Sequence, residues 1–159
     1  MALSRVSEAL GLRVGKSQGA VLKALLRRER LGPTSIGDGV ALPHARLENI
    51  THPAAILARL RHPVGFGGPD DDPVDLIVAV LWPEADAKGF VPALASISRL
   101  LRNTERSSAL RRSKTAREAH ASIAAIEEAR SLRRQHTCRS FGLVLASAFS
   151  ECDGLNLTA

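Results

Sequence analysis

The sequence predicts an α/β fold: a single domain in which a mixed β-sheet is flanked by helices. Two observations lead to this prediction. Apolar residues recur at helical spacing in several segments. The segment Val74–Leu81, in contrast, is short, almost wholly apolar and flanked by prolines, which is typical of a strand buried on both faces. Strands that alternate with helices favour a layered α/β domain, and 159 residues suffice for one.

The first part of the chain predicts two helices and a loop. A helix around Leu3–Leu10 would be broken by Gly11 and Gly15. Ala20–Arg30 has its apolar residues on one face and predicts a second helix. Leu31–Gly39 is rich in Gly, Pro, Ser and Thr, which predicts a loop.

The middle of the chain predicts the sheet. Val40–Leu42 is a short apolar piece that is followed by a proline. Ala54–Leu60 is compatible with a strand bounded by Pro53 and Pro63. A Gly-, Pro- and Asp-rich loop, Gly65–Pro73, then leads into the buried strand.

The last third predicts helices and a tail. Lys88–Arg102 returns to helical spacing, with an apolar stripe formed by Val91, Leu94, Ile97 and Leu101. Two further helices are predicted at Arg106–Arg112 and Ala116–Arg130. We expect a domain over residues 1–126 and a basic, poorly ordered extension over residues 127–159.

Composition bounds the class of protein. The net charge of +6 is concentrated between Arg102 and Arg139, which would suit nucleic acid, although a solvated helix face is the commoner meaning of such a stretch. Aromatic residues make up only 3%, which disfavours base stacking. Cys138 and Cys152 suggest neither a disulfide framework nor a metal site. With no signal peptide and no apolar run near the roughly 20 residues of a membrane span, we expect a cytoplasmic protein without membrane insertion.

The window from Arg28 to Arg46 carries the residues suited to chemistry. His44 follows Pro43, which stiffens the backbone, and a neutral imidazole has one ring nitrogen free to attack phosphorus. Gly37 and Gly39 precede it and could offer backbone N–H groups to an anion. Arg28 and Arg46 are permanently charged forks suited to phosphate oxygens. By residue type alone, an ordinary loop histidine remains the commoner interpretation of His44.

The same window resembles a known signature. Nine positions match, in order, the phosphorylation-site pattern of the mannitol/fructose-type enzyme IIA components of the phosphoenolpyruvate-dependent phosphotransferase system: Glu29, Ile36, Gly37, Val40, Ala41, Leu42, Pro43, His44 and Ala45. The phrase LLRRERLGPTSIGDGVALPHARL is most similar to the nitrogen-regulatory branch of that family. PVDLIVAVLWP and LASISRLLRN resemble the strand and helix that follow.

The resemblance implies a phosphocarrier. His44 would accept the phosphoryl group from a histidine-containing phosphocarrier protein, Arg28 would stabilise the phosphate, and Gly37 and Gly39 would form a phosphate-binding loop. It implies neither a metal nor an organic cofactor. Arg46 has no counterpart in the family pattern and is expected to be a surface cation, and Glu29 and Asp38 are expected to be helix-end and loop groups. The oligomeric state and the ring nitrogen that is phosphorylated stay open.

The sequence also departs from the family pattern. Only 28 residues precede Glu29, so we expect the family's opening strand to be missing and a sheet neighbour to be unpaired. A start further upstream, a trimmed fold and an edge supplied by a partner all stay open. Phe90, Val91 and Pro92 occupy the neighbourhood where many members carry a second histidine.

Three functional hypotheses follow. The first is a regulatory phosphocarrier of the nitrogen-regulatory type, and the second is a sugar-transport component that donates phosphate to a permease. The third, from another class, is a basic nucleic-acid-binding protein, for which no motif is present.

Overall fold

The computed structural model describes residues 2–68, 72–119 and 121–122. It confirms the predicted α/β class, with a mixed sheet between helices. The elements in chain order are the helices and strands α1 (Ala2–Val14), α2 (Gln18–Glu29), β1 (Ser35–Gly37), β2 (Val40–Ala41), β3 (His44–Leu47), β4 (Ala54–Val64), β5 (Val74–Pro83), α3 (Ala87–Leu101) and α4 (Thr104–Arg112).

Strand β5 is the centre of the sheet, as its apolar sequence predicts. Every residue of β5 except Asp75 is buried. One edge of β5 pairs antiparallel with β4, and the other pairs parallel with β2 and β3. Val40 pairs with Leu76 and His44 with Val80, an offset of 36 in both cases (76 − 40 and 80 − 44), so β2 and β3 are two parts of one broken strand. The short β1 adds to β2 on its outer side.

The two faces of the sheet bury two separate clusters. Alternate residues of β5 (Leu76, Val78, Val80 and Trp82) pack with α3 and α4. The intervening residues (Ile77, Ala79 and Leu81) pack with α1 and α2. This division follows from the alternation of side chains along a strand. The helices therefore lie on both faces, and the ends of α2 and α3 come near β3.

The prediction that Gly11 breaks the first helix is wrong. The helix runs through Gly11 and ends at Val14, before Gly15, which adopts a φ of +64°. A Cβ on Gly11 would lie 2.5 Å from the Lys16 carbonyl oxygen. Gly11 is thus a point of close approach, where the chain folds back and the Lys16 N–H donates to the Gly11 carbonyl at 2.9 Å.

Strand β4 also differs from its prediction, because it continues through Pro63 to Val64. Its regular pairing with β5 is interrupted between Arg59 and Val64. Proline is tolerated on an edge strand where its missing N–H is not needed by a neighbour. Among the described residues, β4 pairs with β5 alone, and two helices rather than a strand precede the sheet. The segment predicted as a loop before Val40 contains β1.

Helix α3 buries Ile97 and Leu101 of the predicted stripe, and Leu94 packs against the same cluster, but Val91 is not part of it. Val91 is 68% exposed, whereas Ala93, Ile97, Leu100 and Leu101 are buried. Most of the helix predicted at Ala116–Arg130, and the whole extension 127–159, lie outside the described residues. Within the part that the structure describes, no helix has the combined length and apolar character needed to cross a membrane.

Candidate functional site

His44 lies where the broken strand resumes. Pro43 separates β2 from β3, and its carbonyl oxygen accepts from the Val80 N–H at 2.9 Å, which keeps this point attached to the sheet. His44 follows as the first residue of β3, with its side chain half-buried. The stiff backbone expected from the proline thus lies between two strand segments that are both paired with β5.

The hydrogen bonds of the imidazole define its tautomer. Nδ1 lies 2.8 Å from the Leu42 carbonyl oxygen, and a carbonyl can only accept, so Nδ1 carries the proton. Nε2 lies 3.0 Å from Nε of Arg28, which can only donate. The neutral ring therefore presents its lone pair at Nε2, toward the arginine.

Arg28 reaches His44 from the last turn of α2. Its Nη1 donates to the Gly32 carbonyl at 3.0 Å while its Nε donates to His44. No carboxylate pairs with Arg28 among residues 2–68 and 72–119. The structure thus brings the two predicted residues, His44 and Arg28, into direct contact and leaves the positive charge of the guanidinium without an acidic partner there.

The turn after α2 is held by Glu29. Its carboxylate accepts from the Thr34 backbone N–H at 2.9 Å and from the Thr34 hydroxyl at 2.5 Å. Thr34 is buried, and its carbonyl accepts from the Leu42 N–H at 2.9 Å. Glu29 is a helix-end group, as expected, and it connects the end of α2 to the strand that carries His44.

Burial lowers the pKa of His44 below its ordinary value of 6.5. The positive charge of Arg28 lowers the pKa further, while the Leu42 hydrogen bond and the charge of Glu29 oppose the shift. The ring is therefore neutral at physiological pH, which is the form that has a lone pair to share.

An aromatic neighbour of His44 was not among the predicted site residues. Phe90, in the first turn of α3, meets the imidazole edge to face, with ring centroids 5.8 Å apart and planes at 62°. Its other neighbour is Trp82, at 6.1 Å. The sequence showed a phenylalanine in place of a second histidine, but only the packing of α3 on the sheet shows that its ring contacts His44.

The predicted glycines lie away from the imidazole. Gly39 is buried at the far end of β2, where a Cβ would come within 3.2 Å of Asp75, Arg111 and Pro73. Val40, which follows Gly39, and His44 pair with residues of β5 that are four apart. The backbone positions of Val40 and His44 are therefore about 13 Å apart along the sheet. Gly39 and Gly37 have φ values of +69° and +93° and shape the tight β1–β2 connection. The geometry does not bring this loop to His44.

The remaining predicted groups are exposed. Arg46 and Asp38 lie on the surface, and so do His52 and His62. His120 lies outside the described residues.

Comparisons with known proteins show the family and the fold. The family model described as the phosphoenolpyruvate-dependent sugar phosphotransferase system, EIIA 2, matches residues 2–126. The chain is 39% identical over 110 residues to a nitrogen regulatory protein of Bradyrhizobium diazoefficiens, covering 69% of this chain and 72% of that protein.

Two solved structures share the fold. The crystal structure of nitrogen regulatory protein IIA-Ntr from Neisseria meningitidis superposes with a TM-score of 0.73 at 30% identity, over 76% of this chain and 83% of that one. The crystal structure of IIA mannitol from Escherichia coli superposes with a TM-score of 0.62 at 20% identity, over 76% and 85%, which shows a common fold. The match over residues 2–126 shows that this chain belongs to the EIIA 2 family of the phosphoenolpyruvate-dependent sugar phosphotransferase system.

Proposed function

We propose that the protein is a phosphocarrier that is reversibly phosphorylated on Nε2 of His44 and acts mainly in regulation. The observation that carries the proposal is the pair of hydrogen bonds on the imidazole, which fixes the proton on Nδ1 and leaves the lone pair on Nε2. Membership of the EIIA 2 family and similarity to proteins named nitrogen regulatory support the regulatory role.

The proposed reaction is a transfer between two imidazoles. Nε2 of His44 attacks the phosphorus of a phosphohistidine on a histidine-containing phosphocarrier protein; the new N–P bond forms as the donor's N–P bond breaks, and the donor ring leaves with the electron pair. His44 keeps its proton on Nδ1, where it is hydrogen-bonded to the Leu42 carbonyl. The phosphorylated ring therefore carries a positive charge beside the dianionic phosphoryl group. The donor ring carries a proton on its other nitrogen while it is phosphorylated, so it leaves as a neutral imidazole. No further proton has to move, and the same path serves in reverse.

Arg28 has two roles in this proposal. In the unphosphorylated protein its Nε–H donates a hydrogen bond to the lone pair of Nε2. The guanidinium therefore has to move away from Nε2 before this nitrogen can attack. Its freed N–H groups then bind the phosphoryl oxygens, with which a guanidinium makes strong charge-assisted hydrogen bonds. Stabilising a charge that is present during transfer is the main contribution that a protein makes to this type of reaction.

The partners in the proposal are the phosphocarrier donor and target proteins that distinguish the phosphorylated form from the free form. A permease domain is the acceptor under the transport alternative, for which no residue of the site argues. The nucleic-acid alternative is weakened within the described residues, because Arg111 of the basic region is paired with Asp75. The cytoplasmic location expected from the sequence belongs to the same proposal.

Phosphoryl transfer to wild type and to His44→Ala tests the proposal. Each protein is incubated with phosphoenolpyruvate and the two upstream phosphotransfer proteins, and its intact mass is measured. We expect wild type to gain one phosphoryl group and His44→Ala to gain none. His62→Ala is the matched control, since His62 is exposed on β4 and should leave labelling unchanged. Labelling of His44→Ala, or none on wild type, would refute the proposal.

A further inference from the structure

The first turn of α3 is clamped to the end of β5. Asp86 caps the helix by accepting from the Gly89 N–H at 3.1 Å. Nε1 of Trp82 donates to the Asp86 carbonyl at 2.9 Å. A Cβ on Gly89 would lie 2.7 Å from the Trp82 ring, so only glycine lets the indole pack this closely against the helix. These contacts fix the backbone on which the next residue, Phe90, stands.

Phe90 is held between two rings. It lies 6.1 Å from Trp82 on one side and 5.8 Å from His44 on the other. The side chain is half-buried, whereas its neighbour Val91 is 68% exposed and belongs to neither core cluster. Phe90 has no polar atom, so it can act on the imidazole only by covering it and by the weak edge-to-face attraction between rings.

The polar groups that act on the imidazole come from outside α3. Leu42 offers a carbonyl, and the charged groups that act on the imidazole, Arg28 and Glu29, both come from the end of α2. From α3, the apolar ring of Phe90 contacts the imidazole. Burial is also the largest cause of the lowered pKa of His44, so removal of part of the cover has a measurable consequence.

We propose that Phe90 is a positioning residue for His44: its ring holds the imidazole in the orientation that presents Nε2 to Arg28 and keeps water from the phosphorylated ring. Hydrolysis of a phosphoramidate adds water across the N–P bond, which breaks to give inorganic phosphate and the free imidazole. A cover that excludes water slows this loss while leaving a protein acceptor free to approach from the arginine side. The phosphorylated state then persists long enough to act as a signal. The inference rests on the proposed phosphorylation of His44.

Two measurements on Phe90→Ala test it. The first is the pKa of His44, read by NMR titration of the unphosphorylated protein. The second is the half-life of the phosphoryl group after the donor proteins are removed. We expect the substitution to raise the pKa toward the ordinary histidine value and to shorten the half-life about two- to tenfold, the range expected from the loss of one aromatic pair. Phe90→Tyr keeps the ring and should restore both quantities, which a purely structural role would not require.

Val91→Ala is the matched control, because it removes an exposed side chain from the same helical turn and should change neither quantity. If Phe90→Ala melts below the assay temperature, Phe90→Leu replaces it, with smaller changes in the same directions. Unchanged pKa and half-life in a folded Phe90 variant would overturn the inference. If wild type accepts no phosphate, the proposed function fails, and the pKa measurement still decides whether Phe90 covers His44.

Discussion

The stretch of chain from Gly39 to His44 has an arginine at each end, and the two arginines differ in what they contact. At the Gly39 end, Arg111 binds both oxygens of Asp75 at 2.7–2.9 Å and also donates to the Asp38 carbonyl. At the His44 end, Arg28 donates to a neutral ring nitrogen and to the Gly32 carbonyl. One positive charge is neutralised by a carboxylate, and the other is presented to uncharged acceptors.

The same residue type thus joins structural elements at one end, and in our proposal it binds an anion at the other. Arg111 joins α4 to β5 and to the β1–β2 connection, so its ion pair holds elements together. The ion pair already satisfies its charge. The guanidinium of Arg28 donates only to uncharged acceptors. A dianionic phosphoryl group on Nε2 would give it stronger, charge-assisted hydrogen bonds. The comparison therefore supports the proposal that transfer takes place at the His44 end.

The largest effect is expected from Arg28→Ala. Loss of a hydrogen bond to a charged group costs about 1.5–3 kcal/mol, which corresponds to about a 10- to 150-fold slower phosphoryl transfer to His44. The rate is measured by quenched-flow labelling from the phosphorylated donor protein. Arg27→Ala is the control, since Arg27 is exposed on the same turn of α2 and should transfer at the wild-type rate. Equal rates for both variants would remove Arg28 from the account.

Arg111→Ala should show the opposite pattern. Its pair with Asp75 is partly exposed, at 26% and 30%, so its loss costs on the order of 1 kcal/mol and lowers Tm by about 4 °C. Transfer to His44 should stay within about twofold of wild type, because Asp75 lies five residues along β5 from Val80, the partner of His44, or about 17 Å. Thermal melts and the transfer assay on this variant and on the exposed Arg112→Ala decide between the two roles. A large loss of transfer without a loss of stability would contradict the division between the two ends.

The smallest effect concerns pH. Burial lowers the pKa of His44 below 6.5, so the folded ring stays neutral to a lower pH than in the unfolded chain. Between the folded pKa and 6.5 the unfolded chain binds more protons, and the free energy of unfolding therefore falls as the pH falls through that interval. The transfer rate should hold from about pH 8 to below 6.5 and decline only as the pH falls through the lowered pKa of His44. An NMR titration of His44 with a midpoint above 6.5 would contradict this.

Much of the fold was predictable because its signals are local. The apolar run of β5 and the helical spacing of α2 depend on neighbours a few residues away, and both elements formed as predicted. The errors arose where long-range packing decides. Gly11 continues a helix because Lys16 folds back onto it, and β4 passes Pro63 because that residue lies on an edge strand.

The site divides in the same way. The nine-residue match predicts His44 as the phosphorylated residue, and the structure places Arg28 in contact with it. The roles of both residues stay predictions. Their closeness in the sequence predicts that Gly37 and Gly39 approach His44. In the structure, the extended chain of β2 separates these glycines from His44, which begins β3. Phe90 lies 46 residues after His44 in the sequence (90 − 44). Their contact depends on how α3 packs against β5, which no local sequence pattern predicts.

The most direct test of the account is the identity of the phosphorylated nitrogen. The protein is labelled with ¹⁵N-histidine and phosphorylated by the donor proteins, and two-dimensional NMR then assigns the two ring nitrogens of His44. We expect phosphorus on Nε2 with the proton retained on Nδ1, because the Leu42 carbonyl accepts a hydrogen bond from that N–H. Phosphorus on Nδ1 would contradict it, since the Leu42 bond would have to break and Arg28 would face the wrong side of the ring.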